Sequence, residues 1–155
     1  MNADEIVRIT ADCPLIEPWI VDLVITTRAQ EKADYASNTL RRTFPRGLDV
    51  ECFSFKALFT AWSEAFLPWQ REHVTPFIYR HPERFSLRNV EHNENESHRR
   101  WTVDTNDDYL FVSCVLGNIK KKFSDFNMFD ILNLLSEHPE WESINAHVEQ
   151  KHLEA

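Results

Sequence analysis

Segments in which apolar and polar residues alternate are separated along the chain by segments with apolar residues at helical spacing. Alternation is typical of strands, and a spacing of three or four residues is typical of helices that bury one face. The pattern predicts strands at residues 5–10, 34–38, 48–55, 85–90 and 100–103, and helices at 17–32, 56–66, 71–79, 105–117 and 129–135. This alternation of elements predicts the α/β class, with a mostly parallel sheet.

Glycine is scarce, which limits how the chain could hold a nucleotide. There are two glycines, Gly47 and Gly117, where average usage would give about 11. A Gly-rich loop that cradles phosphates is therefore excluded. Gly117 is expected to end the helix that Thr105 and Asp108 begin, because these two residues have the spacing of a capping box.

Charge and composition exclude several classes of protein. The net charge is −8, which argues against nucleic acid as a partner. No stretch approaches the roughly 18 apolar residues of a membrane span, and the first residues lack the pattern of a secretory signal. Three widely spaced cysteines, Cys13, Cys52 and Cys114, indicate buried thiols in a reducing cytoplasm. Arginines concentrate between residues 28 and 100, either as a carboxylate or phosphate grip or as an ordinary solvated surface.

Two aspartates come directly after predicted strands. Asp12 follows strand 5–10, and Asp104 follows strand 100–103. Ligands of open α/β sheets bind beyond the carboxyl ends of strands, so two carboxylates delivered there could share one Mg²⁺ whose shell phosphate oxygens complete. That arrangement requires the two strands to be neighbours. The spacing equally allows each aspartate to be a turn or cap residue.

A possible polar pocket is indicated around the strand at 48–55. Arg46 lies in the preceding turn, and Asp49 and Glu51 fall on one face of the strand. If that face is buried, both carboxylates need partners, for which Arg46 and Arg41 are the candidates, and the cluster would form a pocket floor. If the face is exposed, the pattern is ordinary alternation.

Arg71, Glu72 and His73 place a cation, a carboxylate and an imidazole together at the start of a predicted helix. Such a group could bind an acidic sugar. It could equally be a surface ion pair worth under about 1 kcal/mol.

Four blocks occur in a characteristic order: VRITADCPLI (Val7–Ile16), DYASNTLRRTFPRGLDVE (Asp34–Glu51), REHVTPFIY (Arg71–Tyr79) and RWTVDTNDD (Arg100–Asp108). Together they resemble the C-terminal two-thirds of the spore coat polysaccharide biosynthesis protein F family of cytidylyltransferases, which are relatives of acylneuraminate and CMP-KDO synthetases. The REHVTP and PRGLDVE blocks are the more specific ones. The resemblance extends over roughly residues 5–150.

The resemblance implies a partial Rossmann-like nucleotidyltransferase fold whose N-terminal nucleotide-binding part is missing. Enzymes of this kind couple a sugar, often an acidic one, to a cytidylyl group from CTP and release pyrophosphate with Mg²⁺. The family pattern places the catalytic metal carboxylates at Asp12 and Asp104. The residues that fall in the sugar-side, substrate-binding blocks are Arg46, Asp49, Arg71 and His73.

Two departures from the family pattern qualify this implication. Asn106 stands where the family has proline, which is a minor change, and no loop rich in Gly, Arg and Lys precedes Asn2. We therefore expect a fragment that carries the metal and sugar side and does not turn over CTP by itself. The alternative is a non-catalytic sugar-binding or dimerisation module derived from the same family.

The expected organisation is a single domain over residues 1–155, with residues 34–98 as a projecting sugar-side and dimerisation lobe and residues 120–155 as a C-terminal helical extension. Related synthetases dimerise through the corresponding insertion, so a homodimer is expected. Phe44, Trp69 and Phe77 are the aromatic residues predicted to be exposed on that lobe. The expected setting is cytoplasmic biosynthesis of a surface polysaccharide.

Overall fold

The computed structural model of the chain describes residues 3–122 and 125–150. Its strands are β1 (Glu5–Arg8), β2 (Tyr35–Ser37), β3 (Glu51–Ser54) and β4 (Leu87–Asn89). Its helices are α1 (Pro18–Glu31), α2 (Phe55–Glu64), α3 (Pro68–Glu72), α4 (Pro76–Tyr79), α5 (Asn106–Lys122) and α6 (Met128–Glu137), followed by a 3-10 helix, Pro139–Ile144. The predicted α/β class is confirmed. In the described ranges, no helix has both the length and the apolar character that crossing a membrane requires.

The described strands form one mixed sheet in the order β1-β3-β2-β4. Strand β3 runs antiparallel to both β1 and β2, whereas β2 and β4 are parallel. The predicted mostly parallel sheet is therefore wrong for these strands, and β1 has β3 as its neighbour rather than the segment at 100–103.

The segment at 100–103 is not a strand, because its backbone is divided between two different partners. Trp101 N donates to Arg46 O at 2.7 Å, and Val103 N donates to Asp12 O at 2.8 Å. The segment forms one isolated parallel bridge, between Arg100 and Arg46, and both residues lie outside the named strands. The segment therefore joins two loops instead of extending the sheet.

Helices cover both faces of the central strand β3. Phe53 packs with side chains of α2 and α4, while its neighbour Cys52 packs in the larger core with side chains of α1, α5 and α6. Successive residues of a strand point to opposite faces, so both faces of β3 are buried. The prediction of a half-buried strand at 48–55 is wrong for this reason.

Two helix boundaries differ from those that the sequence predicts. The single helix predicted at 71–79 is divided into α3 and α4, because Val74 adopts a φ of 70° and Pro76 begins a new first turn. Left-handed backbone is rare for a β-branched residue. Gly117 lies inside α5 rather than at its end, since the helix continues to Lys122.

The predicted lobe shares its strands with the rest of the chain. Residues 34–98 supply β2, β3 and β4, which form one sheet with β1. Phe44 and Phe77 are buried, so their predicted exposure is wrong; Phe44 packs 5.9 Å from the ring of Trp19. The single-domain, lobe and extension boundaries stay predictions, and part of the extension at 120–155 lies outside the described residues.

A buried ion pair fixes the start of α5. The Asp108 side chain is fully buried, and its two oxygens accept bonds from Arg100 Nε at 2.8 Å and Arg100 Nη2 at 2.9 Å. Asn145 Nδ2 donates to the same carboxylate at 2.9 Å, as do the backbone N–H groups of Asp104 at 3.1 Å and Thr105 at 3.0 Å. Three parts of the chain therefore meet at Asp108.

The predicted capping box of α5 is confirmed by the reciprocal bonds of Thr105 and Asp108. Asp108 N donates to Thr105 Oγ1 at 3.2 Å, while Thr105 N donates to the Asp108 carboxylate. Burial by itself raises the pKa of Asp108, but hydrogen bonds from Arg100 and Asn145 hold it well below its ordinary value.

Gly47 allows two loops to approach each other closely. Its φ is 102°, and a Cβ atom there would lie 2.5 Å from Thr102 N and 2.6 Å from the carbonyl carbon of Trp101. Arg46 N donates to Arg99 O at 3.0 Å in the same contact. A side chain at position 47 is therefore excluded both by the backbone conformation and by the available space.

We expect Gly47→Ala to lower the free energy of unfolding by about 2–4 kcal/mol, because a strained backbone and a steric clash add. Urea unfolding measures the change. Gly117→Ala is the matched control: it lies in a helix with no atom within 4 Å of the added Cβ and should raise stability by about 1 kcal/mol. Equal effects of the two substitutions would contradict the close contact at Gly47.

We expect Asp108→Asn to lower stability by about 3 kcal/mol at pH 7, because it leaves Arg100 without its buried carboxylate. The folded pKa of Asp108 lies well below its ordinary value. The ion pair therefore makes its full contribution to the free energy of unfolding above about pH 4, and this contribution decreases as the pH falls toward the folded pKa. Urea unfolding at pH 7 and pH 3 should show the difference from wild type shrinking; a difference independent of pH would count against the ionised pair. Asp107→Asn, at a partly exposed neighbour, is the control.

Candidate functional site

Asp12 and Asp104 lie on two segments that meet at one edge of the molecule. Val103 N donates to Asp12 O at 2.8 Å, so Asp104 directly follows the residue that is bonded to Asp12. Thr102 Oγ1 donates to Asp12 Oδ2 at 3.3 Å. The ends of the two segments therefore meet, as the sequence predicted, although the second segment is not a strand.

Both carboxylates have the properties of cation ligands. Burial alone raises the pKa of Asp12, but hydrogen bonds from Thr10 and Thr102 lower it overall, which keeps the group ionised at neutral pH. Asp104 is exposed, and within the described ranges its carboxylate accepts one bond, from Arg100 Nη2 to Oδ2 at 2.6 Å. Oxygen lone pairs therefore remain on both groups.

At this edge, the part of the chain that the structure describes offers the carboxylates of Asp12 and Asp104 as candidate cation ligands. Among the described residues, no group of three or more His, Cys, Asp or Glu side chains is placed to hold a metal. Mg²⁺ often binds through one or two carboxylates, with waters and substrate phosphates completing its shell. Asp12 and Asp104 are carboxylates of this type, and an ion held by both would have most of its coordination positions open to waters and phosphate oxygens.

A cavity of about 910 Å³ opens beside β1 and β3, a size typical of small-molecule sites. Its charged lining consists of four arginines and two carboxylates: Arg8, Arg42, Arg46, Arg80, Asp49 and Glu51. The polar lining also includes Thr10, His73, Thr75, Tyr79 and Gln150. The arginines outnumber the carboxylates, so the cavity favours an anionic ligand.

Glu51 forms the buried floor of the cavity. Its Oε2 accepts a bond from Arg8 Nη1 at 2.5 Å, and its Oε1 accepts bonds from Tyr35 and from Thr75, each at 2.6 Å. Burial and the adjacent Glu51 charge raise the pKa of Tyr35, which therefore stays a neutral donor. The sequence left open whether this face of the strand is buried. The polar cavity floor is present, and the arginine that pairs with Glu51 is Arg8 instead of Arg41 or Arg46.

Asp49 is neutralised by a different arginine from the one expected. Arg42 donates two bonds to its carboxylate, at 2.5 Å and 2.7 Å, and Gly47 N donates a third at 3.2 Å. Arg41 points elsewhere and pairs with Glu91. The predicted pairing of Arg41 or Arg46 with these carboxylates is therefore wrong, because Arg8 and Arg42 occupy both.

Arg46 is a half-buried cation in the cavity wall. Within the described ranges, its guanidinium makes no hydrogen bond or ion pair with a protein group. Burial and the neighbouring Arg42 lower the pKa of Arg46, while the charges of Asp49 and Asp104 raise it. Asp104 therefore lies close enough to influence the charge of Arg46.

The two remaining predicted substrate residues are placed differently. His73 lines the cavity, next to the strained backbone of Val74. Arg71 donates to Trp62 O at 3.2 Å and Ala65 O at 3.0 Å, near the end of α2, and is not among the cavity-lining residues. A substrate-binding role for Arg71 stays a prediction.

Sequence reasoning missed Arg8, Thr75, Arg100 and Gln150. Arg8 carried a usable signal, because a charged residue in a predicted buried strand needs a buried partner. Thr75 and Gln150 reach the site only through the folding of distant segments, and no pattern in the sequence marks them.

Comparison with known proteins gives consistent results. The family model described as cytidylyltransferase matches residues 1–138. An uncharacterised protein of Methanocaldococcus jannaschii, MJ1063, is 34% identical over 155 residues, which cover 97% of this chain and 60% of that protein. The spore coat polysaccharide biosynthesis protein SpsF of Bacillus subtilis is 25% identical over 138 residues, covering 87% of this chain and 56% of that protein.

A solved structure shows the same fold. The cytidylyltransferase of Leptospira borgpetersenii superposes with a TM-score of 0.80 at 32% identity, covering 96% of this chain and 61% of that one. The chain thus spans about 60% of the length of the relatives that it matches. The nucleotidyltransferase-like fold is confirmed, and the chain belongs to the cytidylyltransferase family.

Proposed function

We propose that the chain forms the sugar-binding and metal-binding part of a Mg²⁺-dependent cytidylyltransferase, which transfers a cytidylyl group from CTP to an acidic sugar. The observation that carries the proposal is the polar cavity in which Arg46 has no partner among the described residues. Family membership supports nucleotidyl transfer. The name of the Bacillus subtilis relative supports a role in surface polysaccharide biosynthesis.

An acidic sugar matches the chemistry of the cavity. Asp49 and Glu51 are already neutralised by Arg42 and Arg8, so they can accept bonds from sugar hydroxyls without repelling an anion. Arg46 offers parallel N–H donors, which suit a carboxylate.

His73 is better placed than Arg71 to bind the sugar. His73 lines the cavity, and its ring can donate to a hydroxyl or carboxylate oxygen. Arg71 would first have to release the two carbonyl groups that it holds near the end of α2.

Asp12 and Asp104 would hold Mg²⁺ in this proposal. The bound ion would neutralise the charge of the triphosphate and orient it for displacement of pyrophosphate. Hydrogen bonds from Thr10 and Thr102 keep Asp12 ionised, and Arg100 holds one oxygen of Asp104. The protein groups therefore provide two fixed negative charges beside a positively charged sugar cavity.

The chain by itself is expected to turn over CTP poorly. Gly47 is occupied in packing against Thr102 and Trp101, and Gly117 lies within α5. Neither glycine is placed in a loop that cradles phosphates, which the family resemblance implies for CTP binding. Positioning of the triphosphate therefore needs a further segment.

We expect pyrophosphate release from CTP, Mg²⁺ and a panel of acidic sugars when the chain is supplied, fused or in trans, with the N-terminal segment of a longer relative. Asp12→Asn and Asp104→Asn should each lower the rate at least about 100-fold, because each removes charge that stabilises the reacting phosphates. Asp22→Asn, on the exposed side of α1, is the matched control and should keep the wild-type rate.

Two results would contradict this proposal. Wild-type rates for either carboxylate variant would exclude its metal role. Robust turnover by the 155-residue chain alone would show that it needs no further nucleotide-binding segment.

A non-catalytic sugar-binding module is the second candidate, because the cavity is lined by this chain's own residues. Titration calorimetry with the same sugars separates the two. Sugar binding that depends on Arg46, without pyrophosphate release under any of the conditions above, would favour the module. Arg41→Met is the matched control for Arg46→Met, since Arg41 is an exposed arginine outside the cavity.

We further propose that a second copy of the chain covers an aromatic stripe on α2. The stripe consists of Phe55, Phe59 and Trp62, which recur at helical spacing on one face of α2, together with Phe66 just beyond the end of that helix; these side chains are 52%, 53%, 63% and 80% exposed. At about 150–250 Å² per aromatic side chain, the stripe exposes roughly 500 Å² per copy. Two such surfaces related by a two-fold axis would bury about 1,000 Å², the lower limit of a specific interface.

We expect the chain to be dimeric at micromolar concentration in sedimentation velocity experiments. Phe59→Asp should shift it to monomer, because a carboxylate would be buried in the centre of the stripe. Tyr109→Asp on α5, where the tyrosine is 63% exposed, is the control and should leave the dimer intact. A wild-type monomer, or a dimer unaffected by Phe59→Asp, would exclude this interface.

A further inference from the structure

We infer that Arg100 is a positioning residue that orients the carboxylate of Asp104 for metal binding. This inference rests on the proposed metal role of Asp104. Arg100 donates hydrogen bonds to Asp108, Asp104 and Gln150. Its side chain is only 9% exposed, and its contacts all go to other protein groups.

The guanidinium of Arg100 donates hydrogen bonds to three side chains: Asp108, Asp104 and Gln150. Nε and Nη2 hold the two oxygens of Asp108 at 2.8 Å and 2.9 Å. Nη2 also donates to Asp104 Oδ2 at 2.6 Å, and Nη1 donates to Gln150 Oε1 at 2.8 Å. The planar fork of arginine is therefore fixed on its buried side by Asp108, with its remaining donors set toward Asp104 and Gln150.

Asp108 acts as an anchor and not as a metal ligand, although it belongs to the same acidic block as Asp104. Its oxygens accept six bonds, from Arg100 twice, from Asn145, from the backbone of Asp104 and from the backbone and hydroxyl of Thr105. A carboxylate has about four lone-pair sites. No lone pair of Asp108 remains for a cation.

Asp104 is the opposite case. Its side chain is 38% exposed, and it lies just before the first turn of α5. Arg100 holds Oδ2, whereas Oδ1 accepts no hydrogen bond from the described part of the chain. Without Arg100, an exposed carboxylate of this kind populates several rotamers, and ordering it would reduce metal affinity.

The same guanidinium connects the metal edge with the sugar cavity. Gln150, the third partner of Arg100, lines that cavity. One buried ion pair therefore sets the positions of a metal carboxylate and a cavity side chain together. Groups that orient metal ligands typically change metal affinity by about 10–100-fold when they are altered.

The test measures Mn²⁺ binding to the chain by electron paramagnetic resonance, with Mn²⁺ as the probe for Mg²⁺. We expect Arg100→Lys to weaken Mn²⁺ binding about 10-fold, because a lysine keeps the charge but cannot hold Asp108 and Asp104 at once. Arg99→Lys is the matched control. Arg99 is the adjacent arginine and pairs with Glu96 and Glu142, and its substitution should leave Mn²⁺ affinity unchanged.

A double-mutant cycle distinguishes orientation of Asp104 from a general loss of structure. In an Asp104→Asn background, Arg100→Lys should cause no further decrease in the residual Mn²⁺ affinity, because its effect acts through Asp104. Equal decreases in both backgrounds would overturn the inference. Circular dichroism and the unfolding midpoint confirm that each variant is folded at the assay temperature, and Arg100→Gln replaces Arg100→Lys if the lysine variant is not.

The remaining outcomes separate this inference from the proposed function. Absence of Mn²⁺ binding by the wild-type chain, or unchanged binding in Asp104→Asn, would overturn the metal role of Asp104 itself. Wild-type binding that needs Asp104 but is unaffected by both Arg100 variants would overturn only the positioning role of Arg100.

Discussion

The buried ion pair of Arg100 and Asp108 is the interaction on which the arrangement of the site depends. Burying two charges costs desolvation energy, which is offset here because the carboxylate receives six hydrogen bonds. The pair joins the segment before α5, the first turn of that helix and Asn145 near the C-terminal end. Asp104 and Gln150 both accept hydrogen bonds from Arg100, so the geometry of the pair determines the position of the Asp104 carboxylate and of one side chain that lines the cavity.

The site keeps charges of opposite sign apart. The cavity pairs each of its carboxylates with an arginine, Glu51 with Arg8 and Asp49 with Arg42, which leaves an excess of positive charge in the cavity lining. Asp12 and Asp104 are held outside that lining by backbone contacts between their segments. Under the proposed function, a divalent cation and an anionic sugar would therefore bind side by side, each beside charge of the opposite sign.

Local patterns in the sequence predicted most of the elements, because capping and apolar spacing act over a few residues. The capping box at Thr105, the helix that begins at Pro18 and the strand at Tyr35 are examples. Sheet direction and the two-sided burial of β3 were predicted wrongly, since they depend on which distant segments pair. The cavity was likewise predicted only in part. Asp49 and Glu51 were recognised as a potential cavity floor, but their arginine partners were predicted wrongly because tertiary packing determines which arginines reach them.

The fixed backbone around Arg46 leaves its guanidinium available to an anion in the cavity. Gly47 fixes the loop against Trp101 and Thr102, and the backbone of Arg46 is bonded on both sides, to Arg99 and Trp101. The carboxylate nearest in sequence, Asp49, already accepts two bonds from Arg42. An anion that enters the cavity therefore meets a guanidinium whose backbone is fixed, and it breaks no ion pair seen among the described residues to reach it. Under the proposed function, a carboxylate gains a charge-assisted bond with this guanidinium that a neutral sugar cannot match, and this difference would favour an acidic sugar.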